Sequence, residues 1–121
     1  MKAEVPIIVA EQDFANQTAT LPIITLFTPT TDGLFKLSAY LETGDGDPSH
    51  RVRASIAWTD DFRAESPEGA AIQIQGGTVG AQGTQGNVVL RAKAGTAITV
   101  STSTDTILAT PYSLFVAIES L

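Results

Sequence analysis

Residues 51–59 read RVRASIAWT, with Val52, Ala54, Ile56 and Trp58 on one side of an extended chain and Arg51, Arg53, Ser55, Ala57 and Thr59 on the other. Successive side chains of a strand point to opposite faces, so this period of two specifies a strand with one dry and one wet face. Strand-like segments recur along the chain: VPIIV at 5–9, TLPIITLFT at 20–28, LFKLSAYLE at 34–42, AAIQIQ at 70–75, NVVLRAK at 87–93, AITVSTS at 97–103 and YSLFVAIESL at 112–121. Turn signals rich in Gly, Pro and Asp separate them. The expected fold is all-β, an antiparallel sandwich of about eight strands. Sixteen threonines suit such pleated surfaces.

Two segments read differently. AEQDFANQ at 10–17 lacks a sustained 3.6-residue apolar spacing and is expected to be a loop with a short helical turn. Pro22 cannot donate to a ladder and marks an edge or a bulge. In GTVGAQGTQG the glycines at 77, 80, 83 and 86 repeat every third residue, as at the axis of a collagen helix. Only three triplets are present, none with proline, between two predicted strands, so an exposed loop tip is expected.

At 121 residues the chain fits one domain. Residues 1–15 are read as an N-terminal segment that docks on a larger scaffold, and residues 16–121 as the domain. With no cysteine, disulfides, thiolate catalysis and zinc-thiolate sites are all excluded. Seven basic residues against thirteen acidic ones leave a net charge of −6, and the basic residues are dispersed, which argues against nucleic acid as a partner. Arg51 and Arg53, two apart on one strand, read as a solvated strand face. The first fourteen residues are too acidic, and their apolar run too short, for a signal peptide, and no run approaches the length of a membrane span. Synthesis in a host cytoplasm, without secretion or membrane insertion, is the expectation. The Asn16-Gln17-Thr18 sequon then has no role.

Chemistry-bearing clusters are few. Asp45 and Asp47 in the turn TGDGDPSH are the candidate cation ligands, but the spacing is not that of an EF-hand and an ordinary Asp/Gly turn outweighs a metal site. His50, the only histidine, reads as solvated. Asp60 and Asp61, being adjacent, point to opposite faces of a strand and suit a turn better than an acid-base pair. Trp58 shares the apolar face of its strand and belongs to the core. Phe62, with Arg63 beside it in the charged loop DDFRAE, is the candidate ligand contact. Serine-nucleophile, Walker and zinc-protease motifs are absent, so an enzyme is not expected and no cofactor is implied.

Two strands are apolar on both faces. In 34–42, Phe35, Leu37, Ala39 and Leu41 form one side, while Leu34 and Tyr40 stand on the other with Lys36, Ser38 and Glu42. In the last strand Leu114, Val116 and Ile118 oppose Phe115 and Ala117. One face of each fills the sandwich, and the second requires a partner subunit.

Phe27, Pro29, Gly33 and Phe35 follow the order of the F-x-x-P-x-x-G-x-Y-x-F segment of complement-globular-head and tumour-necrosis-factor-like jelly rolls, with leucine at 37 where that family repeats an aromatic. GTAITVSTS resembles the family's Gly-Asp-x-Val strand, and Tyr112, Ser113 and Phe115 are similar to positions of its last strand. The resemblance implies a ten-stranded or reduced jelly roll that forms a homotrimer around its inner sheet, with ligands held by apical loops or between subunits. Leu34, Tyr40, Tyr112 and Phe115 are the corresponding candidate interface residues. The composition is similar to that of phage decoration, head-fibre and fibre-tip proteins. The expected function is thus a non-enzymatic virion structural protein bound to a capsid or fibre scaffold. The alternative is a receptor- or carbohydrate-binding module at a fibre tip, contacting a glycan through loops 43–50, 60–69 and 76–86.

Overall fold

A computed structural model describes residues 7–43, 51–60, 64–65, 72–75, 82–104 and 111–121. They form nine strands: β1 (Ile7–Gln17), β2 (Ile24–Phe27), β3 (Gly33–Thr43), β4 (Arg51–Thr59), β5 (Ala64–Glu65), β6 (Ile72–Gln75), β7 (Gln82–Ala92), β8 (Ile98–Thr104) and β9 (Tyr112–Ser120). No helix occurs among the described residues, so none there is long and apolar enough to cross a membrane.

One sheet has the order β1-β9-β3-β7. The other runs β2-β8-β4, with the short β5 pairing the end of β4 at Trp58 and Thr59, and β6 pairing its start from Arg51 to Ala54. Every pairing is antiparallel. Along the chain β1, β2, β3 and β4 fall alternately in the two sheets, and β7, β8 and β9 do the same, which is the interleaving of a jelly roll.

Alternation decides what lies between the sheets. Phe35, Leu37, Ala39 and Leu41 of β3 and Leu114, Val116 and Ile118 of β9 are buried against Val52, Ala54, Ile56 and Trp58 of β4 and Ile98 and Val100 of β8. Each leucine or isoleucine so buried contributes roughly 1.5–3 kcal/mol relative to exposure. The four core residues expected on each of β3 and β4 are the ones observed.

Two segments depart from the sequence reading. Residues 10–17, expected as a loop with a helical turn, belong to β1, the edge strand that pairs with β9 from Ile7↔Ser120 to Gln17↔Tyr112. Long-range backbone pairing overrides a weak local pattern here. Residues 7–15 of the segment set apart as a docking arm are therefore part of the sheet itself. The ladder shifts between Phe14 and Gln17, where Asn16 takes φ 53° and its N–H donates to Ser113 Oγ at 3.0 Å. Asparagine is among the few residues that tolerate this left-handed conformation. Gly83 and Gly86, expected in a loop, lie within β7 opposite Glu42 and Ala39, so the three-residue glycine spacing does not interrupt the strand there.

The turn between β7 and β8 fixes one end of the sandwich. Gly95, at φ 78°, donates its N–H to Pro29 O at 2.8 Å, and the Ala94 N–H donates to the Asp32 carboxylate at 2.7 Å. Lys93 N–H reaches Thr59 O at 2.9 Å. Pro29 and Asp32 thus do more than introduce β3, because they bind the turn that crosses from one sheet to the other.

Candidate interaction face

β9 lies between β1 and β3, and β3 between β9 and β7, so the registers can be read across all four strands. Asp13, Phe115 and Tyr40 share one row. The next outward row is Glu11, Ala117, Ser38 and Asn87, and the one beyond it Ile8, Glu119, Lys36 and Val89. Glu11 and Ile8 are three residues apart because the β1 ladder shifts between Ile8 and Ala10. Residues between these rows, such as Ala39 and Val116, are buried, which places the rows on the outer face.

Several large apolar side chains stand exposed on that face among charged and polar ones. Leu34 is 49% exposed, Tyr40 41%, Phe115 37%, Ile8 59% and Val89 57%. Tyr40 and Phe115 face each other across β3 and β9 with ring centroids 6.4 Å apart and planes tilted by 35°. Beside them the small side chains of Ser38 and Ala117 leave a groove of about 500 Å³, also lined by Glu11, Asp13, Asn87, Tyr40 and Phe115. Aromatic rings form its wall, the two carboxylates on β1 offer only acceptors, and the Asn87 amide on β7 offers donors. No group of three or more metal-ligating side chains occurs among the described residues.

Of the residues singled out from sequence as an interface, Leu34, Tyr40 and Phe115 lie on this face. Tyr112 does not, and its assignment is corrected: it begins β9 with its side chain turned into the core, only 1% exposed. Its hydroxyl donates to Ala19 O at 2.7 Å and is 2.7 Å from Thr102 Oγ1, which accepts from the Leu21 N–H at 2.6 Å. Since the phenol proton is used on Ala19, the Thr102 hydroxyl donates to Tyr112. This chain of hydrogen bonds ties the segment between β1 and β2 to both sheets. Burial pushes the phenol pKa up, and the hydrogen bonds from the Thr102 hydroxyl and from the Leu21 backbone act in the opposite direction.

Trp58 is in the core, and Arg53 is exposed on the outer face of the other sheet. Asp45, Asp47, His50, Asp61, Phe62 and Arg63 lie outside the described residues, as does most of the loops named as ligand contacts. Sequence reasoning missed Ile8, Glu11, Asp13, Asn87 and Val89. A signal existed for Val89, since the adjacent Val88 and Val89 must face opposite ways, but none for Glu11 and Asp13 while their segment read as a loop.

No protein-family model matches the chain, and none of the curated proteins does. Among solved structures it is similar to a chain in the structure of infectious bursal disease virus Gx strain, at 14% identity and a TM-score of 0.53, covering 95% of this chain. It spans 31% of that viral chain. It is also similar to Eiger TNF from S. frugiperda, at 12% identity and a TM-score of 0.52, covering 94% of this chain and 92% of the other. At these identities the likeness is one of fold, and the fold is an antiparallel jelly-roll sandwich.

Proposed function

We propose that the protein is a non-enzymatic structural component of a virus particle, of the phage decoration or head-fibre kind, and that it assembles as a homotrimer through the outer face of the β1-β9-β3-β7 sheet. The observation that carries this reading is the concentration of exposed Leu34, Tyr40, Val89 and Phe115 on that one face. Exposed large apolar side chains gathered on one face mark a candidate association site, and burying them in copies of the same chain is the economical solution. The similarity in fold to the infectious bursal disease virus chain supports a viral setting, and the trimer is what the resemblance to tumour-necrosis-factor-like jelly rolls implies.

Light scattering of the purified chain at micromolar concentration tests the assembly. A mass three times the chain's 12.7 kDa is expected, and a monodisperse monomer overturns it. Virions sedimented from infected cells should carry the protein, and its absence from them would remove the structural role.

A further inference from the structure

We infer that the trimer closes head to tail, the β1 flank of this face in one copy seating against the β7 flank of the next, so that the neighbour's Asn87 meets Glu11 at the edge of the groove. This rests on the trimeric reading above and adds to it the two patches that meet. A closed ring of three needs two different, complementary surfaces on each copy, since a self-complementary patch stops at a dimer.

The rows of the sheet supply such a pair. The centre of the face holds Tyr40 and Phe115, apolar groups that gain by meeting their own copies at an axis. Glu11 and Asp13 on the β1 flank cannot do so, because carboxylates brought onto their own copies repel and would be desolvated without partners. What stands at Glu11's height on the opposite flank matches it. Glu11 shares its row with Asn87, an acceptor with a donor, and Ile8 shares its row with Val89, both exposed and apolar. Within one copy these partners cannot touch, since three strand spacings of about 4.8 Å put them roughly 14 Å apart. Across a subunit boundary they are brought together, and the neighbour covers the groove beside Ser38 and Ala117.

The absence of cysteine makes the arrangement directly testable. A Glu11→Cys/Asn87→Cys variant cannot bridge within one copy, because a disulfide tolerates at most about 7 Å between Cα atoms. After mild oxidation it should run as a covalent trimer on a non-reducing denaturing gel, and each single variant should stay monomeric there. Ile8→Cys/Val89→Cys, at a second row, should give the same pattern. Both pairs are exposed, and a thermal melt matching wild type verifies that the variants fold. Covalent dimers without trimers would overturn the ring in favour of a two-fold contact. No cross-link in either pair, with a wild-type mass that is still trimeric, would overturn the flank pairing while leaving the trimer standing. A wild-type monomer would overturn both.

Discussion

The two sheets have the same inner chemistry and opposite outer ones. Inside, both present Leu, Ile, Val and Ala to one core. Outside, β4 and β8 pair Ser55 with Ser101, Ala57 with Thr99 and Arg53 with Ser103, a surface of one arginine among short side chains, most of them with hydroxyls for water. The outer face of β1-β9-β3-β7 instead carries Leu34, Tyr40, Phe115 and Val89. Neither composition is required by the strands themselves, since threonine and tyrosine both suit a pleated surface. On the proposed assembly, this is a difference in what each face would meet: solvent on one side of the sandwich and a second copy of the chain on the other.

The largest effect expected from breaking this contrast comes from putting charge on the apolar face. Tyr40→Asp with Phe115→Asp should dissociate the assembly, each unpaired carboxylate costing on the order of 3–5 kcal/mol when buried at a subunit contact. Light scattering should report monomers whose far-ultraviolet dichroism is still that of a β protein. A mass unchanged from wild type would mean that the face is wet in the assembly. Next comes a test within one strand. Leu37→Ala should destabilise the fold by roughly 2–5 kcal/mol in urea denaturation, because it opens a cavity in the core. Leu34→Ala, three residues earlier on the opposite side, should leave monomer stability nearly unchanged and shift dissociation to higher protein concentration.

A smaller effect belongs to Tyr112. Its neutral phenol is favoured by burial, so the folded pKa lies above the unfolded value of about 10. The stabilisation is fully present below that pH and is lost as pH rises through the folded value, because the unfolded phenol releases its proton first. Tyr112→Phe should cost about 1–3 kcal/mol at neutral pH, by leaving Ala19 O and the Thr102 hydroxyl short of a partner, and should flatten the alkaline loss measured by denaturation between pH 9 and roughly pH 11. The smallest effect is expected on the hydroxyl face. Ser101→Asp should change stability by no more than about 0.5 kcal/mol and leave the oligomeric mass as it was.

The core was legible because burial follows alternation residue by residue. Val52, Ala54, Ile56 and Trp58 could be placed inside before any partner strand was known, and so could Phe35 through Leu41 at every second position. The same rule separated Leu34 and Tyr40 from their neighbours. The misassignment of Tyr112 went against this rule: it came from grouping the residue with Phe115 by resemblance, although three positions apart on one strand the two point to opposite faces. The rule was silent at residues 10–17, where Glu11, Gln12 and Asp13 are all exposed and no alternation survives at the sheet edge.

By itself, then, the sequence determined that this is a sandwich of strands, which side of most strands is dry, and that two of them have a second apolar side. These follow from the period-two geometry of a single extended chain, which is a local property. Only the tertiary structure decided that β1 is a strand, that β9 lies between β1 and β3, and that Glu11 and Asn87 stand at one height on opposite flanks. Strand neighbours are chosen by backbone hydrogen bonds between segments as far apart as residues 7 and 120, and that choice leaves no mark on the pattern of either segment alone.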